Sequence, residues 1–479
     1  QILQQTNRIN DIVQSLMGLA NVYLIYSIGR KVFGDLVAVL AAVIALLYGS
    51  FMFMDAKLMS TTLGLTLSLS LMRLLLLAGR KQTITLWGAN GALLGLTALA
   101  RPESLLFVPL AVWWIHRVTR QPEAGRKAAP IDQYALAGRQ PGFAIAVFVA
   151  FTVIVVSPVT LRNWVVTDDW SLSNLISSQA GITFYQANNA RGRGLYVFLD
   201  KEGFSGNPRT QSEEEKKLAE KATGRSMKRS EVTRYWLGRG LRWILSNPGR
   251  YILLETKKLQ RFLGSYEYST EYIIYVERES VRTLWLTSLP FAVITALAIV
   301  GILLCSRKRV SAPALLLVLF VIANFLVAMI FYVSSRYRMP SAPYLILFAA
   351  AGIEQLWSWF RSPVVSARTE AWAHAGIAVI LFVIFHLQVD ESARIQQANA
   401  HYNAGNEYFT KQLFDEAIAE YDRAVRGDPK NWRAYYNMAN TLGNLGRKDE
   451  AIAAYAQVLK LNPRMRSARR RIQELRGGP

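Results

Sequence analysis

Over its first four-fifths the chain alternates long apolar runs with short polar connections. Runs of about 20 apolar residues, enough for a helix to cross a bilayer core, begin at Leu36 (LVAVLAAVIALLYGSFMFM), Leu58 (LMSTTLGLTLSLSLMRLLLLA), Phe143 (FAIAVFVAFTVIVVSPVTL), Leu284 (LWLTSLPFAVITALAIVGILLC) and Ala314 (ALLLVLFVIANFLVAMIFYV), and a last one ends in IAVILFVIFHL. Weaker segments near 16–29, 84–100, 104–118 and 341–357 bring the prediction to about ten spans, with 84–100 and 104–118 open to a re-entrant hairpin instead. The connections GRKVFGD, GRKQT, RVTRQPEAGRK, CSRKRV and WFRSPVVSAR are basic and fall on every second turn. By the positive-inside rule that side is cytoplasmic. The opposite side then receives MDAK (54–57), ARPES (100–104), a long loop from about Arg162 to Arg282, SSRYRMP (334–340) and everything after Leu387.

Beyond Gln388 the period changes. HYNAGNEYFTKQLFDEAIAEYDRAVRGDP from His401 and YYNMANTLGNLGRKDEAIAAYAQVLKLNP from Tyr435 align at a spacing of 34 residues, pairing Tyr402 with Tyr436, Asn406 with Asn440, Ala417 with Ala451, Tyr421 with Tyr455 and Pro429 with Pro463. This resembles the tetratricopeptide repeat, two copies of it, with RSARRRIQELR as a capping helix. A groove for a protein partner and a stabilising appendage are both open readings. The fold expected is therefore mainly α: a polytopic membrane bundle with a large extracytoplasmic loop and a C-terminal repeat solenoid. The expected boundaries are 1–163 and 284–388 for membrane helices, 164–283 for the loop with its interfacial helices, and 398–479 for the repeats.

Composition agrees with a membrane protein: 52% of the 479 residues are hydrophobic and 18% charged. The net charge of +22 reads as cationic loops facing anionic lipid rather than as a nucleic-acid surface. A single cysteine, Cys305, excludes an internal disulfide framework, and His116, His374, His386 and His401 lack ligand spacing. No protein metal cage or other cofactor site is expected; a carboxylate-bound divalent cation stays open. No Walker loop or Rossmann glycine pattern is present, which points away from a nucleotide donor.

Charges at a membrane rim are costly unless paired or hydrated, so those on the presumed outer face are the site candidates. Arg336 and Arg338, around Tyr337 in SSRYRMPSAP, suit a phosphate or diphosphate through their forked donors, or else anchor helix ends at the headgroups. Arg101 and Glu103 in LARPES could pair with each other, as a site or as a structural ion pair, and Asp55, with Lys57 in FMFMDAKLMS, could act as a base or bind sugar hydroxyls, or be a plain short-loop carboxylate. The long loop adds Arg162, the stretch GITFYQANNARGRG with Tyr185, Asn188 and Asn189, and LLETKKLQRFLGSYEYSTEY with Lys257, Lys258 and Glu267. Its segment around Trp236, Arg239, Arg242 and Trp243 has the amphipathic make-up of a helix lying in the headgroup interface.

RNWVV with GITFYQANNARGRG, then NPGRYILLETKKLQRFLGSYEYS, LARPE and SRYRMPSAP resemble the bacterial dolichyl-phosphate-mannose-protein mannosyltransferase-like branch of the GT-C glycosyltransferases, over about Ser15 to Leu356. The resemblance implies transfer of a sugar from a polyprenyl-phosphate donor to a glycan, lipid or protein acceptor on the extracytoplasmic face of a bacterial cytoplasmic membrane. Arg336, Arg338, Arg101, Lys257 and Lys258 become candidates for the donor phosphate. Lys57, Glu103, Arg162, Tyr185, Asn188, Asn189, Glu267 and Tyr337 would lie on the acceptor side of the cavity. The family's usual catalytic aspartate sits in a first outer loop, expected before Gln1. Asp55 is the candidate on the next outer loop, where a second acidic position usual in the family reads STTLG here. An O-antigen polymerase or ligase and a non-catalytic membrane-anchored scaffold are the alternatives.

Overall fold

The computed structural model describes residues 2–57, 60–120, 140–171, 175–176, 179–197, 199, 202–204, 210–269, 274–278, 281–307, 311–387 and 391–477, with the backbone alone at 2–9, 276 and 277. Among these residues the chain is helical; the one β feature is an isolated antiparallel bridge between Tyr48 and Ser288. In order come α1 (Ile2–Val32), α2 (Asp35–Leu47), α3 (Gly49–Asp55), α4 (Ser60–Lys81), α5 (Ile84–Ala100), a 3-10 helix (Pro102–Phe107), α6 (Val108–Arg120) and α7 (Pro141–Thr167). A lobe follows, made of α8 (Ala180–Ala187), α9 (Gln211–Thr223), α10 (Arg229–Ser246) and α11 (Pro248–Leu263). After the short α12 (Ile274–Arg278) and α13 (Arg282–Leu286) come α14 (Phe291–Arg307), α15 (Ala312–Ile330), α16 (Ser335–Arg338), a 3-10 turn (Met339–Ser341), α17 (Ala342–Phe360) and α18 (Val365–His386). The chain closes with α19 (Glu391–Thr410), α20 (Phe414–Gly427), α21 (Trp432–Asn444), α22 (Lys448–Leu461) and α23 (Arg466–Leu475).

Among the described residues five stretches are long and apolar enough to cross a membrane: Asn10–Val32 of α1, and α4, α7, α15 and α18. Three shorter apolar helices, α2, α5 and α14, accompany them. Three places show how the other expected spans are built. The run from Leu36 breaks at Tyr48, because Gly49 donates its N–H to the Thr287 carbonyl at 2.7 Å instead of continuing the helix. The run at 104–118 opens as a 3-10 helix on Pro102 before α6 begins. α17 is a buried element: every residue from Ala342 to Ala350 is buried, and its second half carries Glu354 and Gln355. It packs along α2 and α14 at the core of the bundle. The basic connection expected from Arg117 runs from position 121 to 139 outside the described residues.

The chain divides into two compact units, residues 1–265 with 286–388, and residues 266–285 with 389–479. Within the first, the lobe has its own core, in which Ile182 and Tyr185 of α8 meet Val232 and Trp236 of α10. In the second, the 34-residue period is visible as repeated chemistry. Tyr421 donates its hydroxyl to Asn406 Oδ1 at 2.8 Å, and the equivalent Tyr455 donates to Asn440. Ala417 and Ala451, where paired helices touch, are both fully buried. Only a small residue fits such a crossing, so this position explains the alanine.

Candidate active site

α3 stops at Asp55 and α4 starts at Ser60, so their junction carries a carboxylate beside a fresh helix N-terminus. Thr62 donates its hydroxyl to Asp55 Oδ1 at 2.9 Å. The same carboxylate lies against α1 at Gly18, where a Cβ would come within 2.1 Å of Asp55 Oδ2. Glycine is what admits the acid to this crevice. Burial outweighs the Thr62 bond and pushes the Asp55 carboxyl up to about 6, a value suited to accepting a proton from a hydroxyl near neutral pH. Gln14 and Asn21 stand one turn to either side of Gly18 on the same face of α1; both are buried, and Gln14 Oε1 and both polar atoms of Asn21 have no partner.

The second half of the site is Arg101, immediately after α5. It is buried, donates through Nε to Glu103 Oε1 at 2.9 Å, and through Nη2 to the Arg336 carbonyl at 2.9 Å. Its aliphatic stem crosses α4 at Gly64, where a Cβ would meet Cδ at 2.5 Å. The first two turns of α4 thus wall both the acid and the arginine. Arg101 Nη1, Thr61 Oγ1 and Ser341 Oγ are buried with no partner among the described residues, and the turn Met339–Ser341 packs on α4. A cationic N–H and two hydroxyls with open capacity, on elements in contact, form a set that suits the oxygens of an anion. Tyr337 closes this side, its ring edge-on to Tyr332 at 5.4 Å. Burial, reinforced by the Glu103 carboxylate, pushes its hydroxyl pKa up.

Asp55, Arg101, Glu103, Arg336 and Tyr337 therefore belong to one end of the bundle. Arg336 is half-buried there. The other candidates are placed differently. Arg338 is buried, its Nη1 donating to the Gly264 carbonyl at 2.8 Å and its guanidinium lying 4.1 Å from the Phe291 ring centroid. Lys258 is wholly buried and gives its three N–H groups to Met329 O at 2.6 Å, Glu255 Oε1 at 2.7 Å and Asn188 Oδ1 at 3.1 Å; burial pulls its pKa down, with Glu255 opposing. Lys257 beside it is exposed. Asn188 also donates to Ile330 O at 3.0 Å, and Asn189 caps α8 by donating to Tyr185 O at 2.8 Å. Tyr185 packs in the lobe under Arg239, whose guanidinium is 4.5 Å from its ring centroid. Lys57 lies 5.3 Å over the Phe53 ring, and Arg162 is exposed on α7. Glu267 belongs to the second compact unit, where its backbone N–H donates to the Tyr275 hydroxyl.

Gly18, Gln14, Asn21, Thr61, Thr62 and Ser341 escaped the sequence reading. Their signal was present: Gln14, Gly18 and Asn21 recur at helical spacing inside an apolar segment, and STTLG opens a span with hydroxyls.

Residues 2–126 match the dolichyl-phosphate-mannose-protein mannosyltransferase family model. The matched segment contains Asp55, Thr62, Arg101 and Glu103, and the match bears out the resemblance carried by the motifs. Residues 405–446 and 432–465 match tetratricopeptide repeat models, as the 34-residue period requires. Among curated sequences none matches significantly. Among solved structures, the apo oligosaccharyltransferase of Archaeoglobus fulgidus aligns at 12% identity and TM-score 0.38, over 79% of this chain and 44% of its own. The same enzyme tethered to an acceptor peptide containing the NVT sequon aligns at 13% and 0.40, over 86% and 47%. Archaeal oligosaccharyltransferase AglB from that organism, in complex with an inhibitory peptide and a dolichol-phosphate, aligns at 13% and 0.40, over 86% and 48%. The chain thus spans less than half the length of these structures. Among the described residues no group of three or more His, Cys, Asp or Glu side chains is placed to hold a metal ion.

Proposed function

We propose that the protein is a multipass membrane glycosyltransferase that takes a sugar from a polyprenyl-phosphate donor and passes it to an acceptor on the extracytoplasmic side of a bacterial cytoplasmic membrane. The observation that carries this reading is that the family match covers the segment holding both Asp55 and Arg101. In this reading the spare N–H of Arg101, with Thr61, Ser341 and the half-buried Arg336, receives the phosphate that departs with the lipid. Charge develops there as the sugar leaves, so donors already in place lower the barrier without reorganising. Asp55, held by Thr62 and Gly18, serves the hydroxyl side, as a proton acceptor or through hydrogen bonds that orient the sugar. Membrane lipids surround the bundle, and the repeat unit offers a surface for a protein partner.

The test is Arg336→Ala in the full chain, assayed with a radiolabelled polyprenyl-phosphate hexose in detergent. Transfer is expected to fall at least 100-fold while elution as a monodisperse particle is unchanged, a loss of about 3 kcal/mol of transition-state stabilisation. Turnover equal to that of the unaltered protein would overturn the phosphate role of Arg336. Absence of transfer by the unaltered protein with every polyprenyl-phosphate sugar would overturn the functional reading itself.

A further inference from the structure

The lobe contains a cavity that the proposed transfer site does not use. It has a volume of about 800 Å³ and lies between the end of α8, the end of α9 and one face of α10. Cavities of roughly 300–1,000 Å³ enclose small ligands. Tyr185, Tyr235 and Trp243 supply aromatic walls, Arg239 and Arg242 supply charge, and among the described residues no acidic one lines it. Neither arginine is paired with a carboxylate among the described residues: Arg239 rests on the rings of Tyr185 and Trp236, and Arg242 donates through Nε to the Gly238 carbonyl at 3.3 Å. The indole N–H of Trp243 is buried and has no acceptor among the described residues. Two cationic groups and three aromatic side chains therefore line one concavity, with the indole N–H buried behind it.

The orientation of α10 separates this cavity from lipid. At 3.6 residues per turn the mean direction of Tyr235, Arg239, Arg242 and Trp243 is about 145° from that of the exposed Leu237, Leu241 and Leu245, with Leu245 coming within about 60° of Arg242. If the leucine stripe meets the acyl boundary, the cavity opens toward water. A headgroup in that bilayer is then a poor occupant. Aromatic faces suit the C–H faces of a pyranose ring, and the guanidinium forks suit a carboxylate or phosphate.

We infer that this cavity binds an anionic saccharide, a sugar carrying a carboxylate or phosphate, and that it holds the acceptor glycan of the transfer reaction. The inference deepens the proposed function and rests on it for the word acceptor; the binding itself does not. The full chain in detergent, without donor, is titrated calorimetrically with a galacturonic acid tetramer, with trehalose 6-phosphate, and with maltotetraose as the neutral control. At least one acidic saccharide should bind tenfold or more tightly than maltotetraose. Arg242→Gln, at an exposed position that leaves the lobe core intact, should weaken it about tenfold, and Trp243→Phe several-fold. Equal binding of neutral and acidic sugars, no binding of either acidic sugar, or no effect of Arg242→Gln overturns the inference. So does full competition by equimolar inorganic phosphate, which marks a bare anion site, or by anionic-phospholipid nanodiscs, which marks a lipid site. Sugar transfer by a protein that binds no acidic saccharide would sink this inference alone; acidic-saccharide binding without transfer would sink the functional reading and the acceptor role with it, and leave the binding site standing.

Discussion

Lys258 offers the sharpest physical test of how the lobe is held to the bundle. It is wholly buried, and its ammonium joins three elements: Glu255 one turn earlier on α11, Asn188 at the end of α8, and the Met329 carbonyl at the end of α15. Lys258→Met keeps the length and apolar stem but removes all three donors. Asn188 Oδ1 and Met329 O are then left buried without a partner, at about 1–3 kcal/mol each. Glu255 is 24% exposed at its side chain, recovers water, and adds less. The expected destabilisation is about 2–5 kcal/mol, the range of a broken buried pair. Since 1.4 kcal/mol is about tenfold in population, local opening of the segment after Asn188 should rise by at least about thirtyfold. That segment carries Arg191 and Arg193, so limited trypsin digestion in detergent reads the opening directly when cleavage is slow relative to reclosing. Lys257→Met, at the exposed neighbour, should digest like the unaltered protein. Lys258→Met with Glu255→Leu should recover part of the loss, because removing both partners costs less than stranding one. A Lys258→Met protein cut at Arg191 and Arg193 within twofold of the unaltered rate would refute the reasoning.

Asp55 predicts a pH dependence. Its carboxyl sits near 6 against an ordinary 3.8, so the folded chain holds this proton more tightly than the unfolded one. The stability linked to it is complete below about pH 4 and lost as pH rises through about 6, whereas a role needing the carboxylate gains over the same window. The transfer rate should climb about tenfold per unit below pH 6 and level above it. Asp55→Asn should abolish that limb, and Gly18→Ala, by driving the carboxylate out of its crevice, should move it down toward pH 4; an unchanged limb in both variants refutes the assignment. Arg338→Lys should lower the unfolding free energy by about 2–4 kcal/mol in a detergent denaturation series, because lysine cannot keep both the carbonyl contacts at the end of α11 and the stacking on Phe291. A loss under 0.5 kcal/mol would contradict this.

The fold was largely legible. Apolar runs located the membrane helices because a bilayer-sized apolar segment has few other uses, and the 34-residue period located the repeat pairs because Tyr421 and Tyr455 do the same work in each. What could not be read was how the helices divide their polar groups. The break at Tyr48 depends on a carbonyl at Thr287, more than two hundred positions away, and no local pattern announces it. The crevice at Gly18 depends on which face of α1 meets α3. Asp55 and Arg101 were each visible as rim charges, but that α4 walls both of them at Thr62 and Gly64 is a property of packing.

The same distinction explains the cations. In sequence Arg338, Lys258, Arg101 and Arg336 look alike, basic residues at helix ends that suit a phosphate. In the fold, Lys258 donates to the last turn of α15, Arg338 to the carbonyls that close α11, and Arg101 to the Arg336 carbonyl. Helix C-termini leave unpaired carbonyls and a partial negative charge, so at the end of a bundle they compete with any anionic ligand for the same cations. Lys258, whose three donors are already spent on the Met329 carbonyl, the Asn188 amide oxygen and the Glu255 carboxylate, is a poor phosphate ligand, because binding would have to break bonds already made in a site with little water. Arg101 differs: it meets its structural obligations with Nε and Nη2 and still holds Nη1 buried and, among the described residues, unpartnered, on elements that pack with those carrying Thr61 and Ser341. Open donor capacity in a buried place, rather than charge at a helix end, is what singles out the candidate anion site.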